Sequence, residues 1–215
     1  RVPFQDPSRI NDKMLELFSK YKKSRFELGT HINHPIEFWD ESIQAIKKLQ
    51  SVGFRIYNQN PLLKGVNDNF ETLSKLYQLL REFDIENHYL FHAIPLRGMS
   101  HHRTSLRKGL ELINQLSSCG EFSGRSKPKY SVLSDIGKII IYQDTIIKED
   151  KKNNSLLLKS GFKIDDRIKW NPSWQKPETV EIDSKGYMNV WYLDGSDKEF
   201  EKNSDNETKI IKFSK

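Results

Sequence analysis

Asp40-Glu-Ser-Ile-Gln-Ala-Ile-Lys-Lys-Leu-Gln-Ser-Val-Gly53-Phe54-Arg-Ile-Tyr-Asn-Gln-Asn-Pro61 decides the fold. Ile43, Ile46 and Leu49 recur at helical spacing behind Asp40, and Gly53 stands where a helix ends in a left-handed residue. Phe54-Arg55-Ile56-Tyr57 then reads as a strand. The same unit recurs on both sides. Upstream, Asn11 caps a helix with Ile10, Met14, Leu17, Phe18 and Tyr21 on one face, followed by the strand Phe26–Thr30. Downstream, Asn69 caps a helix with Phe70, Leu73, Leu76, Tyr77 and Leu80 inward, followed by the strand His88–Phe91. A further helix carries Leu106, Leu110, Ile113 and Leu116. Strands alternating with helices imply parallel β/α units over residues 8–118.

From about 117 the pattern changes. Ser117–Gly120 and Ser123–Pro128 read as loop. Tyr130–Leu133, Ile139–Tyr142, Leu156–Leu158, Val180–Ile182 and Val190–Leu193 read as short strands of an antiparallel β appendage, with turns at Lys185-Gly186 and Asp194-Gly195. Residues 196–215 form a charged tail. The organisation expected is therefore a β/α unit over 1–118, a segment holding Lys138 and the β appendage over 119–195, and the tail. Three β/α units cannot close a barrel of about eight strands. Either the sheet is open, or strands outside these 215 residues complete it. The chain begins Arg1-Val-Pro without a methionine, which reads as a fragment or a processed product.

Composition narrows the function. Charged residues are 30% and hydrophobic residues 36%, yet 12 Phe, 8 Tyr and 4 Trp argue against wholesale disorder. No apolar run reaches the roughly 18 residues of a membrane helix, so no membrane partner is expected. The single cysteine, Cys119, excludes an internal disulfide and a self-contained iron–sulfur site, and it stands near no partner triad. A cytoplasmic location is the default expectation. The net charge of +6 is spread along the chain, as at Lys20, Lys22, Lys23, Lys47 and Lys48, without a nucleic-acid motif. It reads as a solvated surface, and no nucleic-acid partner is expected.

Polar residues sit where each strand ends. The first strand runs into Thr30-His31-Ile32-Asn33-His34-Pro35, the second into Asn58-Gln59-Asn60-Pro61, the third into His92. Ligands of parallel β/α folds bind at the carboxyl ends of strands, so these three ends are candidates for lining one site. His31 is expected to contact ligand and His34, before a proline, to hold its loop. The pair has no third ligand at metal spacing, and no metal site is expected. Lys138 lies in Asp135-Ile136-Gly137-Lys138-Ile139-Ile140-Ile141. Apolar surroundings disfavour an ammonium and suit an amine nucleophile, as a Schiff base with an aldehyde cofactor requires. The bland alternative is an edge-strand lysine pointing to water. His101-His102-Arg103 read equally as an anion contact or as the start of the next helix.

Several strings together resemble the lysine 2,3-aminomutase family of radical S-adenosylmethionine enzymes. In order they are Arg1-Val-Pro, Pro7-Ser-Arg-Ile10, Thr30-His31-Ile32-Asn33-His34-Pro35, Asn58-Gln59, Leu62-Leu-Lys-Gly-Val-Asn-Asp68, Tyr89-Leu90-Phe91, His101-His102-Arg103-Thr104 and Lys108-Gly-Leu-Glu111. They span roughly residues 1–140. The resemblance implies an α/β fold, the C-terminal part of a partial (β/α) barrel with parallel strands. It implies an isomerase that moves an amino group between adjacent carbons of an amino-acid substrate. It implies S-adenosylmethionine, pyridoxal phosphate and a [4Fe-4S] cluster, the cluster held by a C-x3-C-x2-C loop in a part of the protein that precedes this chain. On that reading the chain alone is inactive. Carried over by position, His31 and Gln59 match residues at the S-adenosylmethionine site, Lys138 matches the lysine that binds pyridoxal phosphate, and Asp135 is a candidate substrate contact.

Three departures bear on that reading. The family precedes its lysine with a run of glycines, whereas Leu133-Ser134-Asp135-Ile136-Gly137-Lys138 is shorter and has one. Ile94 stands where lysine-specific members carry an aspartate, so the substrate is lysine or another amino acid. No zinc cysteines follow Asn69, and no structural zinc is expected. Beyond about 145 the resemblance ends, and Trp170-Asn-Pro-Ser-Trp174 and Trp191-Tyr192-Leu193-Asp194-Gly195 read as a β cover or a homo-oligomer contact. The alternative function is a non-catalytic module, derived from such an enzyme, that binds a ligand or a protein.

Overall fold

A computed structural model describes residues 1–21, 25–121 and 126–197. Lys22, Lys23, the Ser123–Arg125 part of the expected loop and the tail from 198 onward lie outside the described residues. Two short helices open the chain, α1 (Val2–Gln5) and α2 (Asp12–Ser19). Then come β1 (Phe26–Thr30), α3 (Asp40–Ser51), β2 (Phe54–Leu62), α4 (Phe70–Glu82), β3 (Ile85–His92), α5 (Leu106–Ser118), β4 (Lys129–Ser134) and β5 (Gly137–Ile140). These five strands form one sheet in the order β1-β2-β3-β4-β5. β1 to β4 are parallel and β5 is antiparallel to β4.

Local chemistry sets the helix boundaries. The side-chain oxygens of Asn11, Asn69 and Ser105 accept from the backbone N–H of Met14 (3.1 Å), Thr72 (2.9 Å) and Lys108 (3.1 Å). Each satisfies one of the N–H groups a helix start leaves without a partner. Gly53 ends α3 at φ +92°, where a side chain would be strained. The helices cover one face of the sheet. Ile46 and Leu49 of α3, Leu73, Leu76, Tyr77 and Leu80 of α4, and Leu106 and Leu116 of α5 pack there against Ile56, Leu62, Ile85, Leu90 and Val132. Full burial of each such side chain stabilises by roughly 1.5–3 kcal/mol. α2 is the looser element. Phe18 meets Phe26 and Phe54, but Leu17 and Tyr21, expected inward, are more than half exposed.

The second sheet is antiparallel, in the order β6-β7-β9-β8. Its strands are β6 (Ile146–Asp150), β7 (Ser155–Leu158), β8 (Val180–Ile182) and β9 (Met188–Leu193), with α6 (Ile164–Trp170) between β7 and β8. Gly186, at φ +80°, turns the chain toward β9, as expected at Lys185-Gly186.

One expectation needs correction. Tyr130–Leu133 and Ile139–Tyr142 do not belong to the antiparallel appendage that their sequence suggests. Instead Lys129–Ser131 pairs in parallel with Tyr89–Phe91, and β5 follows as an antiparallel edge. The first sheet thus has four parallel strands, and the antiparallel sheet starts only at Ile146. The cause is packing. Tyr130 is buried on the helix side, where a Cβ on Gly109 of α5 would lie 2.1 Å from its ring. The absent side chain at Gly109 lets the tyrosine in, and β4 docks beneath α5.

Candidate active site on the open face of the parallel sheet

The strand registers place a set of side chains together on the face that the helices leave uncovered. Gly29 is opposite Tyr57, Gln59 opposite Tyr89, Phe91 opposite Ser131, and Leu133 opposite Lys138. Alternation along each strand puts these on one face and Ile56, Asn58, Asn60, Leu90 and Val132 on the other. Tyr57 lies over Gly29, where a Cβ would come within 3.0 Å of its ring. The pairing of β2 with β3 shifts by one residue between Asn58 and Gln59, so Asn87 and Tyr89 have partners and His88 is the extra residue. A bulge of this kind re-aims a side chain. The ring of His88 stands 5.3 Å from that of Tyr57 and 4.0 Å from that of Tyr89.

Lys138 completes this row. Its Nζ is 3.9 Å from the centre of the Tyr89 ring and 5.0 Å from that of Phe91. The side chain therefore reaches from β5 across β4 to the aromatic rings of β3, a cation–π seat rather than a solvated pose. Ser131, fully buried on the intervening strand, has a hydroxyl with no protein hydrogen-bond partner. A buried orphan hydroxyl costs free energy unless a ligand or water answers it. His88 is held below its ordinary pKa by partial burial, then by the charges of Lys129 and Lys138, against the opposing pull of Glu86 and Glu27.

His31 directly follows β1 and is half-buried. Burial lowers its pKa, helped by the Arg1 guanidinium, which keeps the ring neutral near pH 7 and leaves a ring nitrogen able to accept. His34 holds the loop, as expected from its place before Pro35. Its Nδ1 accepts from the Ile36 N–H at 3.2 Å, and Glu37 accepts from the N–H groups of Asn33 (2.7 Å) and His34 (3.2 Å) while pairing with Arg1 at 2.7 Å. Gln59, half-buried, lies on the open face beside Tyr89.

Other strand-end residues lie elsewhere. Asn58 is fully buried on the helix side, where its amide bridges Ile32 through an accepted bond of 2.7 Å and a donated bond of 3.0 Å. His92, at the third strand end, does not line the open face with His31 and Gln59. It is fully buried opposite Leu62, its Nε2 2.8 Å from the Thr104 carbonyl and its Nδ1 2.8 Å from the Tyr192 hydroxyl. The carbonyl can only accept, so Nε2 carries the proton and Nδ1 accepts from Tyr192. Parity decides the matter, because Tyr89 and Phe91 face the open side and His92 faces the helices.

Arg103 is turned into the protein. It is 3% exposed, donating from Nε to the Ala93 carbonyl (2.8 Å), from Nη1 to that of Asp194 (3.0 Å) and from Nη2 to that of Leu193 (2.6 Å). Asp194 accepts from the N–H of Leu106 (2.7 Å), and a Cβ on Gly195 would lie 1.8 Å from the Thr104 carbonyl oxygen. The segment Tyr192–Gly195 is thus a cover clamped over the end of β3 and the start of α5.

The string around Lys64 also has a structural role. Asn67, fully buried, accepts from the Leu63 N–H (2.7 Å) and donates to the carbonyls of Asn33 (2.9 Å) and Pro61 (3.0 Å). It ties the loops after β1 and β2 together at the end of the sheet where His31 and Gln59 lie. Asp135 is exposed in the β4–β5 turn, where its Oδ2 accepts from the Thr179 hydroxyl at 2.5 Å. Ile94 is 39% exposed just past β3. Among the described residues, no three His, Cys, Asp or Glu side chains gather to hold a metal ion, and no helix is long and apolar enough to cross a membrane.

No protein-family model matches the chain. Curated proteins do. An L-lysine 2,3-aminomutase of Methanococcus maripaludis is 39% identical over 132 residues, 61% of this chain and 30% of that protein. This chain is a sequence relative of the lysine 2,3-aminomutases. The Bacillus subtilis L-lysine 2,3-aminomutase is 34% identical over 132 residues, 61% of this chain and 27% of its own length. A glutamate 2,3-aminomutase of Clostridioides difficile is 34% identical over 126 residues, 59% of this chain and 29% of its own. The match therefore spans about a third or less of each of these relatives. A solved radical SAM methyltransferase from Sphaerobacter thermophilus overlaps 54% of this chain and 38% of its own at 18% identity and a TM-score of 0.37, a likeness too slight to carry an argument. Both a lysine and a glutamate 2,3-aminomutase are among these relatives.

Tyr89, Phe91, His88 and Ser131 were not singled out as site residues from the sequence. The signal was present for two of them. In His88-Tyr89-Leu90-Phe91 the flanking rings share a face that Leu90 does not.

Proposed function

We propose that this chain is the C-terminal part of a radical S-adenosylmethionine aminomutase that uses pyridoxal phosphate and shifts the amino group of an α-amino acid between adjacent carbons. The parallel sheet would be part of a partial β/α barrel, with the open face as its interior. One observation carries the reading. The Lys138 amine is seated on the rings of Tyr89 and Phe91, on the same face as Gln59, in a chain related to lysine and glutamate 2,3-aminomutases.

The residues fit pyridoxal phosphate in two respects. Lys138 offers an amine on an aromatic floor, and the buried hydroxyl of Ser131 lacks a protein partner beside it. When bound, that cofactor supplies an electron sink for bonds at the carbon bearing the amino group. Lys138 would hold it through its aldehyde carbon, and the rings of Tyr89 and Phe91 would exclude water and orient the amine. The neutral imidazole of His31 and the carboxamide of Gln59 would hydrogen-bond S-adenosylmethionine at the ends of β1 and β2. Asp135, three residues before Lys138, is the carboxylate proposed for the substrate. A [4Fe-4S] cluster needs several thiolates, and Cys119 is the single cysteine of the chain. The residues present do not fit the cluster, and on this reading the 215 residues alone are inactive.

The test is an assay of the polypeptide that carries this chain together with a cluster-binding region, purified without oxygen and given S-adenosylmethionine, pyridoxal phosphate and a reductant. Lysine, glutamate and uncharged amino acids are offered in turn. The reading predicts a β-amino acid from at least one of them. No β-amino acid from any substrate, with cluster and S-adenosylmethionine shown to be bound, would leave the non-catalytic binding module as the better account.

A further inference from the structure

Lys138 stands near the start of a four-residue edge strand whose described ladder partner is β4. A lysine there has a long side chain on an edge strand, and ordering it costs side-chain entropy. The three residues before it are each gripped from the antiparallel region. Asp135 accepts from the hydroxyl of Thr179 at 2.5 Å. The Ile136 carbonyl accepts from Nη2 of Arg167 on α6. Gly137, at φ +122°, lies against the ring of Phe162, which would be 3.5 Å from a Cβ at that position. The Arg167 guanidinium is itself packed over the rings of Trp174 (5.7 Å) and Phe162 (6.0 Å). Inside the turn, the Ser134 hydroxyl donates to the Gly137 carbonyl at 2.7 Å.

We infer that Arg167 and Thr179 are positioning residues for Lys138, and that the antiparallel region fixes the turn presenting the lysine to the open face. A charged donor on a turn carbonyl is about twice as strong as a neutral one, and the planar fork of arginine, packed between two rings, brings that donor already ordered. Where a glycine-rich run would have to be ordered by the ligand, the Ser134–Gly137 turn is ordered by contacts from outside it. These groups lie beyond residue 145, in and around the antiparallel sheet. The inference rests on the reading of Lys138 as the amine of the site, but its test does not need the cofactor.

The experiment is competitive labelling of the 215-residue chain with a trace of acetic anhydride across a pH series. Peptide mass spectrometry reads Lys138 against the exposed lysines Lys13 and Lys75. Arg167→Met and Thr179→Val are expected to shift the pH–rate profile of Lys138 so that its relative reactivity near neutral pH changes about threefold or more. Arg167→Lys should restore part of the wild-type profile. Profiles identical to wild type in both variants would overturn the inference. Should Arg167→Met fail to fold, Thr179→Val and amide exchange of the wild-type chain decide. Protection of Gly137 and Ile139, whose N–H groups face β4, comparable to that of β9 supports the clamp, and exchange as fast as in exposed loops contradicts it. A failure of pyridoxal phosphate to react at Lys138 would sink the cofactor reading and leave these profiles untouched, so the two can fail separately.

Discussion

Replacing Arg103 with methionine should lower the unfolding free energy by about 4 kcal/mol, within the range for breaking a buried charged network. The guanidinium is 3% exposed and its three short bonds end on the carbonyls of Ala93, Leu193 and Asp194. Each carbonyl left dry costs about 1–3 kcal/mol. Methionine fills much of the same volume, so the loss reports hydrogen bonds more than a cavity. Two of the three carbonyls lie at the end of β9, so the antiparallel sheet should loosen first. Urea unfolding followed by circular dichroism gives the total, and amide exchange across β7 and β9 gives the local part. Arg97→Met, at an exposed position, should change the midpoint hardly at all. An equal, small effect of both would mean that Arg103 is not the clamp described.

The second large effect is a pH dependence centred on His92. Burial lowers its pKa to about 4, against the upward pull of the Thr104 carbonyl. The group is depressed below its unfolded value of about 6.5, so the unfolded chain binds a proton that the folded chain refuses. Its contribution is fully present above pH 6.5 and is lost as pH falls toward 4, at up to about 1.4 kcal/mol per pH unit and about 3 kcal/mol in all. Burial raises the carboxyl of Asp194, which acts in the opposite sense at the acid end. The difference between wild type and His92→Gln isolates the histidine. The variant should show a flatter stability profile between pH 6.5 and 4. Parallel profiles would mean that His92 titrates as it does in the unfolded chain.

Much of the fold was legible because the apolar positions of α3, α4 and α5 keep one helical face and because asparagine caps announce α2 and α4. The first three strands followed from what lay between helices. β4 was misassigned because its signal, Tyr130 and Val132 inward with Ser131 outward, is as compatible with a hairpin as with a parallel strand. What decides is Gly109, 21 residues before Tyr130 in the sequence, whose missing side chain admits the Tyr130 ring. α6 was missed because it is seven residues long and has no side-chain cap. At the site, Lys138 and Gln59 were nameable from their strings, while His92 was grouped with them on position alone. The β-bulge at His88 fixes which residues of β3 face the open side, and no periodicity of two survives a bulge. The string Leu62–Asp68, the most distinctive in the sequence, ties loops together through Asn67 rather than reaching the open face.

The central claim is that Lys138 is the amine of a pyridoxal phosphate site on the open face. The most direct measurement adds pyridoxal phosphate to the polypeptide carrying this chain, fixes the carbon–nitrogen bond with borohydride, and maps the label by peptide mass spectrometry. The account predicts label on Lys138, and its loss in Lys138→Ala. Label spread over exposed lysines such as Lys13 and Lys75, unchanged in Lys138→Ala, would contradict it.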